Sequence, residues 1–139
     1  MTSEDRPYLS IIIPAYNEGQ RIQKILDVAK LFLQEKNFSS EIIVVDDGSK
    51  DQTVATAESY RPFFDRFTVI RHAVNSGKGA AVRTGMLAAK GTVRLFADAD
   101  NSTPLEELDK LLPFINKGFD VVIGSRSLRG SKILQRQPL

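Results

Sequence analysis

The sequence predicts an α/β fold, a mostly parallel sheet with helices alternating between its strands. Three observations carry this. Short β-branched apolar runs alternate with amphipathic stretches along the 139 residues. The first two runs, residues 9–13 and 42–45, are apolar almost throughout, which marks strands covered on both faces. Polar, Gly-containing clusters follow the runs directly, where strand-to-helix turns belong.

Each element has its own reason. Residues 9–13 (Leu-Ser-Ile-Ile-Ile) predict the first strand. Ile22, Ile25, Leu26, Ala29, Phe32 and Leu33 recur at steps of three and four, so a helix with one buried stripe follows. Asn37-Phe38-Ser39-Ser40 breaks it, and residues 42–45 form the second strand. Asp47-Gly48-Ser49 is a turn, and Asp51 can cap a helix reaching about Tyr60, before Pro62 stops it. Residues 67–71 alternate and predict the third strand; 80–89 is a small-residue helix ended by Gly91; 93–97 is the fourth strand. Thr103 at the cap, Pro104 at the first helical position and Glu106 and Glu107 in the positive first turn predict a last helix. Val121-Val122-Ile123 predicts a fifth strand. No internal repeat, low-complexity tract or domain boundary is visible.

Composition narrows the function classes. The chain has 19 basic and 17 acidic residues and a formal net charge of +2, without the basic excess of a dedicated nucleic-acid binder. It has no Cys, which excludes disulfides, thiolate metal sites and Cys nucleophiles. No stretch approaches the roughly 20 apolar residues needed to cross a bilayer, and Met1 to Arg6 carries no apolar signal core. The default compartment is therefore the cytosol. Residues 1–7 are expected to be disordered or loosely ordered.

In a parallel sheet the ligand sits at the carboxyl ends of the strands, and there this sequence is unusual. The strands end in Pro14-Ala15-Tyr16-Asn17-Glu18, Asp46-Asp47-Gly48-Ser49, Asn75-Ser76-Gly77-Lys78-Gly79, Asp98-Ala99-Asp100 and Gly124-Ser125-Arg126. Asp98 and Asp100 can both reach one hard cation such as Mg²⁺ or Mn²⁺; otherwise they are capping acids before Pro104. Asp46 and Asp47 either make a turn with Gly48 or accept hydrogen bonds from a base or ribose. Tyr16 offers a π-face for stacking on a nucleobase, although Pro, Asn and Glu also simply end a strand and start a helix. The stretch around Lys78 is not a P-loop, because His72 stands where the first Gly is required and Gly79 where Ser or Thr is required. It remains a Gly-flanked Lys at a helix N-terminus, suited to an anion. His72, the sole His, is read as a packed or surface side chain and is assigned no role.

Together these segments resemble the family-two glycosyltransferases, which have the Rossmann-like nucleotide-diphospho-sugar transferase (GT-A) fold. The matching segments run from residue 12 to 18, 44 to 53, 75 to 81 and 98 to 100, in order. Residues 97–104 and 122–126 look most like the polyprenyl-phosphate branch, the dolichyl-phosphate glucose and mannose synthases. The resemblance implies an inverting transferase that moves a sugar from a UDP- or GDP-sugar to a polyprenyl phosphate, using Mg²⁺ or Mn²⁺. It implies that Pro14, Ala15, Tyr16, Asn17 and Glu18 surround the base and ribose, and that Asp47, with Asp46, binds the base. Lys78 and Ala99 would lie near the nucleotide. Asp98 and Asp100 would hold the sugar nucleotide and its metal, and Arg126 would contact the acceptor phosphate. Ser102 stands where mannose synthases often carry a metal-binding Gln, which favours the glucosyl-type relatives. Two alternatives remain: a same-fold transferase for a polysaccharide or other hydroxyl acceptor, and a nucleotide-sugar-binding module without catalysis. Residues 8–139 are expected to be such a domain, incomplete on its acceptor side and truncated at its C-terminus. A lipid-phosphate acceptor would bring it to the cytosolic face of a membrane.

Overall fold

The computed structural model describes residues 5–125 and Arg129. The chain divides into two compact units, residues 1–105 and 106–139, where the sequence shows no boundary.

The first unit holds one four-stranded sheet: β1 (Leu9–Ala15), β2 (Ser40–Asp46), β3 (Phe67–Arg71) and β4 (Val93–Phe96), in the order β3-β2-β1-β4. Every pairing is parallel. The register sets Ala15 beside Asp46 and Asp46 beside Arg71. The connections hold α1 (Ile22–Gln34), α2 (Thr53–Glu58) and α3 (Lys78–Ala88). The predicted strand over 67–71 keeps its bounds, while β1 and β2 run further than their apolar runs, up to the polar residues that end them.

Burial explains the two kinds of strand. All seven residues of β1 are buried, and six of the seven in β2. These inner strands have neighbours on both sides and helices on both faces, so apolar residues fill their central positions, and the polar Ser10, Glu41 and Asp46 lie toward their ends. The edge strands are less buried: β4 alternates more and less buried positions, while in β3 only Phe67 is buried and Val69 and Ile70 are both half-buried. On one face Ile12, Ile43 and Val45 pack with Ala81 and Ala89. Gly85 lets α3 come this close, because a Cβ there would stand 2.3 Å from Ile12 Cγ2. On the other face α2 packs against β2 and β3 and meets α1, whose Ile22, Ile25, Leu26, Ala29 and Phe32 are buried. At the amino ends of the strands, buried Glu41 accepts the Ser10 hydroxyl and the Lys90 and Gly91 amides. Pro7 is buried there, and its carbonyl accepts the Thr92 amide.

The second unit contains α4 (Leu108–Asn116), preceded by a single 3-10 turn at Leu105–Glu107. The predicted last helix therefore opens in 3-10 geometry, after Pro104 rather than on it. Helix α2 is also shorter than predicted. It ends at Glu58, and Arg61–Phe63 forms a separate 3-10 turn around Pro62.

The fifth strand is a correction. Val121, Val122 and Ile123 form no strand. Val121 and Ile123 are each 78% exposed. A β-branched run becomes a strand only with a neighbour to complete its ladder, and among the described residues it pairs with none.

Candidate donor site at the carboxyl edge of the sheet

All four strands deliver their carboxyl ends to one edge, and there the ladder continues into the loops. The Asp47 amide donates to the Ala15 carbonyl, the His72 amide to Asp46 and the Ala97 amide to Ile12. The four predicted polar clusters in the first unit therefore stand side by side. Arg126 lies outside the described residues.

The loops after β1 and β2 are sewn together. The Asn17 amide donates to Ser49 Oγ at 2.8 Å, and Asn17 Oδ1 accepts the Lys50 amide at 3.0 Å. The Glu18 amide donates to Thr53 Oγ1 at 2.8 Å, and the Gly19 amide to Asp51 Oδ2 at 3.1 Å. Asn17 adopts a left-handed φ of 50°, a conformation Asn tolerates better than most side chains. Hydrogen bonding from the Thr53 hydroxyl holds the Asp51 carboxyl below its ordinary pKa, against the opposing effect of burial. Pro14 and Ala15 are buried beneath, and Tyr16 is 44% exposed at the rim. Glu18 forms an ion pair with Arg21 at 2.7 Å.

The first acid pair faces inward. Asp46 is fully buried; its Oδ2 accepts the Ser49 amide at 3.2 Å and lies 3.5 Å from Arg71 Nε. Its Oδ1 has no hydrogen-bond partner among the described residues. Asp47 is buried too, and both of its oxygens accept from the protein. The Ser76 amide reaches both, the Gly77 amide reaches Oδ2 at 2.7 Å, and His72 Nδ1 reaches Oδ1 at 2.7 Å. Burial would raise the Asp47 pKa, but bonds from the Ser76 amide, His72 and the Gly77 amide outweigh it and hold the carboxyl below its ordinary value. An ionised carboxylate only accepts, so His72 Nδ1 carries the proton in this pair. His72 Nε2 lies 2.9 Å from Thr84 Oγ1 on α3. Gly48 makes the close approach possible. Its φ is 79°, and a Cβ there would stand 2.8 Å from the Asn75 amide nitrogen.

The second acid pair faces outward. Asp98 is about one-third exposed, Asp100 is exposed, and Ala99 between them is buried. Asp98 Oδ1 forms an ion pair with Lys78 Nζ, and Oδ2 receives the Ser102 hydroxyl at 3.4 Å. Asp100 Oδ1 accepts the Ser102 amide at 2.9 Å. Lys78 is the first residue of α3, so its cation and the positive helix end lie together, and its Nζ also stands 5.9 Å from the Phe96 ring centroid. No group of three His, Asp or Glu among the described residues could hold a metal by itself. The donor set nevertheless fits a hard divalent cation. Asp98 and Asp100 offer only oxygen, Asp98 already draws a cation, and Mg²⁺ commonly takes one or two carboxylates plus phosphate and water oxygens.

The structure thus brings together Tyr16, Asp47, Lys78, Asp98 and Asp100 along one edge. Sequence reasoning missed His72, Thr84, Ser49 and Arg71. For His72 a signal existed: it directly follows β3 as Asp47 directly follows β2, and adjacent parallel strands place such residues side by side.

Comparison with known proteins agrees with this geometry. The profile of glycosyl transferase family 2 matches residues 10–139. A dolichyl-phosphate beta-glucosyltransferase of Drosophila melanogaster is 47% identical over 117 residues, covering 78% of this chain and 36% of that protein. The chain spans less than half the length of the curated relatives it matches. A mannosyltransferase from Pyrobaculum calidifontis, solved with GDP-Man and Mn²⁺, superposes with a TM-score of 0.58 at 29% identity. That match covers 68% of this chain and 28% of the mannosyltransferase. Glucosyl-3-phosphoglycerate synthase from Mycobacterium tuberculosis, solved with Mn²⁺, UDP and glucosyl-3-phosphoglycerate, gives 0.60 at 27% identity, over 81% of this chain and 40% of the synthase. The parallel sheet, the order of the strand-end clusters and the profile match point the same way: the chain belongs to glycosyl transferase family 2.

Proposed function

We propose that this chain carries the donor site of an inverting transferase that moves glucose from a nucleotide-diphosphate sugar to a polyprenyl phosphate of the dolichyl type. The observation that carries the reading is the open Asp98-Ala99-Asp100 pair with Lys78 seated on it, in a family 2 chain with dolichyl-phosphate beta-glucosyltransferases among its relatives.

The residues divide the work. Tyr16 presents its exposed ring to the base, and the sewn loops after β1 and β2 hold that ring at the rim. Asp98 and Asp100 would hold Mg²⁺ or Mn²⁺, which when bound supplies positive charge against a departing diphosphate. Lys78 adds a second positive charge at the start of α3. The acceptor phosphate is already ionised near neutral pH, so one of its oxygens attacks the anomeric carbon without a general base. The new C–O bond forms on the face opposite the leaving group. The bond to the diphosphate breaks, and its electron pair leaves with the nucleoside diphosphate. Arg126 is proposed to position the acceptor phosphate. No helix among the described residues is long and apolar enough to cross a membrane. The lipid phosphate is proposed to meet the donor site at the membrane surface.

Calorimetric titration of UDP and GDP, with and without Mn²⁺, tests the donor site. Metal-dependent binding is expected, weakened at least about tenfold, or about 1.4 kcal/mol, in Asp98→Ala and Asp100→Ala. Equal binding without metal, or unchanged binding in both variants, refutes the metal assignment. Labelled sugar nucleotide supplied with polyprenyl phosphate should yield glycolipid when the chain is extended to the length of its relatives. Transfer only to a hydroxyl acceptor would overturn the acceptor class.

A further inference from the structure

We infer that His72 is a positioning residue. Through Asp47 it fixes the loop that brings Lys78 onto Asp98. The consequence for the donor rests on the function proposed above; the clamp itself rests on geometry.

The connections form an unbroken series. Thr84 Oγ1 lies 2.9 Å from His72 Nε2, and His72 Nδ1 lies 2.7 Å from Asp47 Oδ1. Asp47 then accepts the Ser76 amide at 3.0 and 3.1 Å and the Gly77 amide at 2.7 Å. Gly77 immediately precedes Lys78, which opens α3 and pairs with Asp98. Four pieces of chain are therefore joined through one carboxylate: the end of β2, the end of β3, the loop after it and the second turn of α3.

Each link has a physical reason. The Ser76 and Gly77 amides stand at the start of a helix, where backbone donors lack partners within the helix, and Asp47 supplies their acceptor. Gly77 has a φ of 95°, so this turn is held in a conformation that few residues adopt, and a fixed acceptor keeps it there. Left to itself, a buried carboxylate could rotate about its terminal torsion. The His72 Nδ1–H donor fixes one oxygen, so the other stays aimed at Gly77. Thr84 holds the ring from behind and ties it to the helix whose first residue is being placed. In this state Asp47 is committed to the protein, so its effect on a nucleotide acts through Ser76, Gly77 and Lys78.

Amide hydrogen exchange on the ligand-free chain, read together with UDP affinity in Mn²⁺, tests the inference. His72→Asn keeps a donor near the Nδ1 position and loses the link to Thr84. His72→Gln reaches only toward the Nε2 position and cannot supply that donor. We expect Ser76 and Gly77 to exchange about tenfold faster in His72→Gln, the effect of losing one hydrogen bond to a charged group, and close to the native rate in His72→Asn. UDP affinity should follow the same ranking. Thr84→Val, which removes only the hydroxyl behind the ring, should give a smaller acceleration at the same two amides and serves if the His72 variants fail to fold. Amides of β1 and β2 should keep their protection throughout.

Unchanged exchange at Ser76 and Gly77 in His72→Gln and Thr84→Val overturns the inference. So does acceleration shared equally by β1 and β2, which would mean general destabilisation. Faster exchange with undiminished UDP affinity overturns the link to the donor site. A native chain that binds neither UDP nor GDP refutes the donor reading instead, and the exchange rates then decide the clamp alone.

Discussion

Two pairs of carboxylates stand at the same edge of the same sheet, and their surroundings differ. Asp46 ends an inner strand and Asp47 follows it; both are buried, and backbone amides, His72 and Arg71 surround them. Asp98 and Asp100 follow an edge strand and open outward, with bonds to Ser102 and to the long-stemmed cation of Lys78. A carboxylate that accepts several protein donors stabilises a backbone shape; one that keeps free lone pairs can bind a ligand. Adjacent acids in a sequence look alike, and the supply of N–H donors sets Asp47, both of whose oxygens accept from the protein, apart from Asp98 and Asp100. Asp46, within the buried pair, keeps Oδ1 without a hydrogen-bond partner among the described residues.

The largest test of that contrast is Asp47→Ala. It leaves the Ser76 and Gly77 amides and the His72 ring without their acceptor, at a cost of about 2–4 kcal/mol for three donors that are at most partly buried and an emptied buried carboxylate site. Urea unfolding would measure it, and a change below about 0.5 kcal/mol, the range of an ordinary surface substitution, would remove the distinction drawn between the pairs. Gly48→Ala comes next, because its Cβ would press on the Asn75 amide at a φ of 79°. A loss of about 1–3 kcal/mol is expected from the clash and the left-handed backbone.

Acid should reveal the hydrogen-bonded carboxylates Asp47 and Asp51 more gently. The folded pKa values of Asp47 and Asp51 lie below the ordinary 3.8, so their contribution to stability is complete above that value. It is lost as pH falls below 3.8 and through the folded pKa values. Unfolding free energy followed from about pH 6 to about 2 should decline, and Asp47→Asn should flatten part of that decline. The smallest effect belongs to Asp100→Ala. Asp100 is exposed and bonds only locally, so unfolding free energy should move by no more than about 0.5 kcal/mol while metal-dependent nucleotide binding falls. A large stability loss there would show that Asp100, too, is structural.

Much of this was legible in the sequence. The solid apolar runs of β1 and β2 reported burial directly and the shorter run of β3 marked an edge strand, so the sheet and its polar edge could be read from pattern alone. Val121 to Ile123 had the same composition but formed no strand, because composition records a side chain's preference and not the presence of a partner strand. The Asp98-Ala99-Asp100 triplet was legible because its chemistry sits in adjacent residues. The His72–Asp47–Thr84 series was not, because its members come from three separated segments. Only the order β3-β2-β1 makes them neighbours.

The strand order also bears on how this chain is made. β1, the most completely buried strand, pairs with β2 on one side and with β4 on the other. During synthesis β2 and β3 emerge soon after β1, but the other edge of β1 has no partner until Val93 to Phe96 leave the ribosome. A nascent chain of the first three strands therefore exposes an apolar edge able to pair with another chain. Closing that edge requires contacts between distant parts of the sequence, the kind of step that topology makes slow.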